Sequence, residues 1–161
     1  MKKGLLIFIT ALTITLLFAS FSTVAAKPNA PILCFVDMAY NGAYWEGEVH
    51  ECSLAGTIRF DPDPDNPSYP AGKTLHFFEL FTIEPNSGGV IQGNTAGVGH
   101  LYEPFKFRAN GWVTDATEQW SHLIGNKYFE MGTSTNPLDP SIPLTADNMV
   151  MRIVPAQRPV P

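Results

Sequence analysis

The sequence predicts an all-β fold: about eight antiparallel strands closed into a barrel, with one short helix. Three observations lead there. Most of the chain after residue 44 consists of segments in which apolar and polar residues alternate, the period of a strand with one face in a core. Short runs of Gly, Asn, Ser and Pro separate these segments, and such runs turn a chain sharply. Only one stretch has helical spacing. Antiparallel strands joined by tight turns expose edges, and closure into a barrel removes them. A two-sheet sandwich or jelly roll is the alternative that the same pattern allows.

The chain opens with an export-signal pattern. Met1-Lys2-Lys3 is a short positive region, Gly4 to Phe18 is uncharged and apolar, and Val24-Ala25-Ala26 offers small residues for cleavage before Lys27. An uncleaved anchor is the other reading, but the apolar run is short against the about 20 residues of a bilayer span. Residues 1–26 are therefore expected to be a signal peptide, and the mature chain secreted or extracytoplasmic, with no stable membrane insertion after cleavage. In such an oxidising compartment Cys34 and Cys52, the two cysteines, are expected to form a disulfide. Closing a loop of about 18 residues contributes about 3 kcal/mol by restricting the unfolded chain. The bond would tie an N-terminal segment, 27–43, to a barrel domain, 44–154, with a Pro-rich tail over 155–161.

Within that domain Tyr44 to His50 alternates as a strand, and Ala55 to Phe60 is its expected hairpin partner. Asp61 to Tyr69 reads as a loop, because its prolines lack backbone donors. Lys73 to Ile83 is a long aromatic-rich strand. Asn86-Ser87-Gly88-Gly89 turns the chain into Val90 to Thr95, followed by a further extended stretch from Val98 to Tyr102. Phe105 to Thr114 is another strand. Asp115 with Glu118 forms a capping-box pattern, and Trp120, Leu123 and Ile124 share a helical face, so Ala116 to Ile124 reads as the helix. Lys127 to Ser134 and Asp147 to Val154 complete the set, on either side of a Pro-rich loop at Asn136 to Pro143.

Composition excludes several function classes. At 45 % hydrophobic and 16 % charged, the chain is too apolar for an acidic disordered tail. Two cysteines are too few for a four-thiolate zinc site. With Lys2 and Lys3 removed, the ten basic residues become eight against fifteen acidic, net −7. The cations are scattered along the sequence, so no nucleic-acid partner is expected.

The strand period also selects a lumen face. On the long strand Leu75, Phe77, Glu79, Phe81 and Ile83 share one side. Comparable sides elsewhere are Trp45, Gly47 and Val49; Phe105, Phe107, Ala109, Gly111 and Val113; Phe129 and Met131; and Met149, Met151 and Ile153. Trp45, Phe77, Phe81, Phe107, Phe129 and Met131 are the candidate ligand-binding walls. Glu79 is the candidate catalytic group, because a carboxyl among aromatic rings titrates nearer neutrality. A mouth position or a basic neighbour would leave it a structural role instead. Phe78, Leu80 and Trp112 fall on the outward side, where a second copy of the chain or the short helix would cover them.

Other motifs carry less chemistry. The acidic run Asp61-Pro62-Asp63-Pro64-Asp65-Asn66 lacks the Gly and the bidentate Glu of a calcium loop. His50, His76, His100 and His122 form no closely spaced pair, and neither a phosphate loop nor a dinucleotide fingerprint is present. No metal and no cofactor is therefore expected. Trp45, Trp112 and Trp120 fall on three different elements, which suits core and anchor positions better than a sugar-stacking platform.

The stretch from Trp45 to Ser134 resembles the allene oxide cyclase and dirigent type of barrel. The resemblance rests on Trp45-x-Gly47, on Gly88-Gly89-Val90-Ile91-Gln92-Gly93, and on Asn110-Gly111-Trp112-Val113-Thr114-Asp115-Ala116-Thr117 leading to Met131-Gly132-Thr133. It implies an eight-stranded barrel, often trimeric, whose apolar pocket steers cyclisation or coupling of a lipid-like or phenolic substrate. No catalytic residue is carried over from it. The expectation is an exported barrel that binds an apolar small molecule, either as a cofactor-independent isomerase or cyclase or without catalysis. A secreted structural or adhesive protein and a carbohydrate-binding module are the alternatives.

Overall fold

Alternation along the chain becomes a closed wall. The computed structural model describes residues 30–156; the expected signal peptide, 1–26, and the end of the Pro-rich tail, 157–161, lie outside the described residues. Nine strands follow in order: β1 (Ile32–Tyr40), β2 (Trp45–His50), β3 (Gly56–Pro62), β4 (Tyr69–Ala71), β5 (Thr74–Pro85), β6 (Ile91–His100), β7 (Lys106–Ala116), β8 (Lys127–Thr133) and β9 (Thr145–Val154). Each barrel strand pairs antiparallel with the next, β3 pairs with β5, and β9 returns to β1. Eight strands thus form a closed up-and-down barrel. The short β4 extends the wall beyond β3 along β5.

The count of eight arises differently from the expectation. Ile32 to Tyr40 is a full barrel strand between β2 and β9, so the barrel begins at Ile32 and not at residue 44. Its alternation runs past the apolar Ile32–Val36 stretch: Cys34, Val36 and Met38 are buried, while Leu33, Asp37 and Ala39 are exposed. Conversely, the two stretches expected at 90–95 and 98–102 are one strand, β6. Its glycines read as breaks, yet they sit opposite large rings. A Cβ at Gly97 would fall 2.3 Å from Phe77 Cζ, and one at Gly93 would fall 2.4 Å from Phe81 Cζ. Phe77 and Phe81 are the direct cross-strand partners of those glycines, so each ring occupies the space its partner leaves free.

The expected helix is shorter and tighter, a 3-10 helix at Glu118–Leu123. No capping box forms, because Asp115 Oδ1 accepts from its neighbour's amide, Ala116 N, at 2.8 Å. Thr117 is the cap residue, and its hydroxyl instead accepts from Val90 N at 3.1 Å. Trp120 Nε1 donates to the Gly88 carbonyl at 3.0 Å, and Gln119 Nε2 bonds to the same oxygen. Its N-terminal half is thus anchored to the β5–β6 hairpin, and the six residues take the tighter 3-10 form common in short connectors.

This helix closes one end of the barrel. Leu123 from the helix and Leu54 from the β2–β3 turn are buried in the core beside Ile58, Ile83, Ile91, Val113 and Ile153. The Cys34–Cys52 disulfide ties the same end, with Cα atoms 5.1 Å apart and a sequence separation of 18. Reduction is expected to lower unfolding stability by about 3 kcal/mol, from the loop length alone. Urea unfolding with and without reductant measures this; coincident curves would count against it. At the opposite end Trp45, Leu75, Phe77 and Phe107 are only partly buried, so the barrel has a packed base and a looser mouth.

Candidate functional site

Glu79 lies midway along β5, on the inner side between Phe77 and Phe81. Its register partner on β6 is Thr95, Thr95 pairs with Gly111 on β7, and Gly111 pairs with Tyr128 on β8. Two residues beyond Tyr128, Glu130 also faces inward and is only 3 % exposed. The fully buried Tyr128 hydroxyl donates to Glu130 Oε2 at 2.7 Å, and its ring stacks on Phe81 with centroids 4.3 Å apart. Thr95 is 4 % exposed, and its hydroxyl has no hydrogen-bond partner. Two carboxyls, a phenol and an orphan hydroxyl therefore share an otherwise apolar interior.

Among the described residues, no Lys, Arg or His forms an ion pair with Glu79 or Glu130. Burial pushes Glu130 up to about 7, against which the Tyr128 hydrogen bond favours the anion. Glu79 has no such donor; burial, and then repulsion from Glu130, push it up to about 8. The order follows physically. Glu130 ionises first because its anion is hydrogen-bonded, and Glu79 then titrates against that charge. Burial and the neighbouring Glu130 also drive the Tyr128 phenol well above its ordinary range. Near neutrality the interior thus holds one proton donor and one acceptor.

The expected walls divide. Trp45, Phe77, Phe81 and Phe107 lie on the inner side, although Phe81 is 1 % exposed and belongs to the packed base. Phe129 and Met131 do not line the lumen: β8 has the opposite phase, with Tyr128 and Glu130 buried and Met131 53 % exposed. Placing Phe129 and Met131 inside would also bury Lys127 in the sealed base. Gly132 shows the same constraint, since a Cβ there would fall 2.8 Å from the Phe107 ring. Lys127 and Gly132 were the available signals for Glu130 and Tyr128, which apolar matching alone passed over. Thr95 had no distinguishing signal.

The outer wall has two concavities. One, of about 470 Å³, crosses β5 to β8 between His76, Phe78, Val98, Arg108, Phe129 and Met131. The other, of about 570 Å³, lies among Glu46, Glu48, Arg59, Asp61, Thr82 and Glu84. Cations scattered in sequence are gathered on adjacent strands: Lys106 and Arg108 on β7, Lys127 on β8 and Arg152 on β9. The tryptophans form no common platform. Trp45 and Trp120 pack against the core, while the exposed Trp112 lies under Lys127, whose Nζ is 5.4 Å from its ring centroid. In the acidic run, Asp63 accepts from Asn66 Nδ2 at 2.8 Å and from Asp65 N at 3.0 Å. These bonds hold its carboxyl below the usual range and commit it to the turn.

No protein-family model, no curated protein and no solved structure matches the chain.

Proposed function

We propose that the protein is exported and takes one small, largely apolar molecule into the open half of its barrel, where Glu79 and Glu130 engage the molecule's polar group. The observation that carries this reading is the uncompensated carboxyl pair beside the orphan Thr95 hydroxyl, beneath partly exposed Phe77 and Phe107. A core selected for stability alone gains little from such groups, because apolar residues of similar volume do as well or better. Near neutrality Glu79 is the acid and Glu130 the base. One gives a proton while the other takes one, which balances a proton-shifting isomerisation or cyclisation without a cofactor. The resemblance to allene oxide cyclase and dirigent barrels points toward the same class. The Cys34–Cys52 bond is consistent with an extracytoplasmic protein, and no helix among the described residues is long and apolar enough to cross a membrane.

Native mass spectrometry of the exported protein tests the reading through a co-purified organic molecule, and a neutral apolar fluorophore tests it directly. Phe77→Ala is expected to weaken fluorophore binding about tenfold, from lost apolar contact at the mouth. Met131→Ser, on the outer wall, is expected to leave it unchanged. Binding that responds only to Met131 places the ligand outside and overturns the proposal.

A second reading has its own support. The rings of Phe77 and Phe81 fill the space over Gly97 and Gly93, and both concavities described above lie on the outer wall. A barrel filled throughout would serve as a non-catalytic structural or adhesive protein. In that case no fluorophore enters, and replacing both glutamates with glutamine changes stability alone.

A further inference from the structure

The charge of the ligand follows from what surrounds the carboxyl pair. The inner faces of β1, β2, β3, β6, β7 and β9 carry no Asp, Glu, Lys, Arg or His. Tyr128 is the titratable group in contact with the pair, while Tyr40 stands at the mouth against Trp45, with ring centroids 5.5 Å apart. At the same end Lys73 holds its ammonium 5.5 Å from the Tyr102 ring centroid. Among the described residues the pair therefore has no counter-cation. A buried carboxylate pair is costly when unpaired and becomes favourable when a cation is hydrogen-bonded to it.

We propose, resting on the interior-site reading above, that the polar group of the ligand is a protonated amine, with its ammonium held by Glu79, Glu130 and the Thr95 hydroxyl. The count of partners suits this group. An ammonium on an apolar body has three N–H donors, and the site offers two carboxyls and one hydroxyl that lacks a partner. Phe77 and Phe107, the partly exposed inner-side rings at the mouth, are the aromatic groups that could add attraction for a cation. A hard metal ion fits less well, because it seeks six or more oxygens and the walls are rings, methionines and glycines. A neutral alcohol would accept from protonated Glu79 but would leave the Glu130 carboxylate without a counter-charge. An amine favours the ionised form of both, so its binding expels protons.

Isothermal titration of the mature protein with phenethylamine and with phenethyl alcohol at neutral pH separates the cases. The amine is expected to bind about tenfold more tightly than the alcohol, the worth of one charge-assisted hydrogen bond. Its heat should depend on the ionisation enthalpy of the buffer in the sense of proton release. Glu79→Gln and Glu130→Gln should each remove that preference, bringing the amine and alcohol affinities together, and Thr95→Val should weaken it. Equal binding of amine and alcohol would overturn the amine assignment and leave the interior site standing. Binding of neither would overturn both. An amine preference that survives in both glutamine variants would place the cation elsewhere and overturn the assignment.

Discussion

Unfolding stability is expected to fall as the pH rises from about 4.5 to about 8, with the sign set by the buried Glu130 and the largely buried Glu79. Across that window the unfolded chain has already released the protons of Glu79 and Glu130, whereas the folded barrel still holds them. The native state binds more protons, so each rise in pH favours unfolding, by about 1.4 kcal/mol per pH unit for each group still protonated. The stability is fully present below the ordinary carboxyl range. It is lost as the pH passes first through the Glu130 transition near 7 and then through that of Glu79 near 8. Asp63 and Asp139 are held below the usual range by their turn hydrogen bonds and act in the opposite sense at lower pH, outside this window.

The variant Glu79→Gln/Glu130→Gln should therefore match the parent near pH 4.5, exceed it by several kcal/mol near pH 8, and show no slope between. With Glu130→Gln alone, Glu79 no longer ionises against a neighbouring charge, so the upper edge of the window moves below about 8. Urea unfolding at a series of pH values measures both effects. A flat profile for the parent would mean that the carboxyls reach water or a cation, and the site as described would fall.

Phe81→Ala should cost about 4 kcal/mol, the middle of the range for removal of a fully enclosed ring. Phe81 is the meeting point of three strands: it stacks on Tyr128 from β8, tilts against Phe60 from β3 at 6.3 Å, and covers Gly93 of β6. Gly93→Ala should be damaging for a related reason, since its Cβ would lie 2.4 Å from Phe81 Cζ and 2.1 Å from the Trp112 carbonyl oxygen. Combining the two changes frees the ring position but leaves the carbonyl clash, so the double variant is expected to be no more stable than Phe81→Ala. The urea midpoint at constant slope is the readout. A loss under about 1 kcal/mol for Phe81→Ala would show that the ring is not a packed member of the base.

Much of this architecture was legible residue by residue. On β2, β7 and β9 one side is apolar, and on β5 it is apolar but for Glu79, while the other side carries Glu46, Arg108, Arg152 or His76, so a period of two assigns the faces. The cysteine pair was equally plain. Glycines misled the reading of β6, because a residue without a side chain signals a turn until the ring that covers it is known. Thr117 and Trp120 likewise form their bonds to residues 27 and 32 positions earlier, which local helical spacing cannot register.

Alternation by itself determined that the chain is built of antiparallel strands, that Glu79 shares a side with Phe77 and Phe81, and that Cys34 and Cys52 suit a bond. Only closure of the barrel decided the phase of β8. Both of its sides carry an aromatic residue, and the choice was settled by keeping Lys127 out of the sealed base and placing Gly132 under Phe107. That choice sends Glu130 and Tyr128 inward to join Glu79, fifty residues away along the chain. Faces are local properties of a strand, but which face is inside depends on every neighbour around the ring.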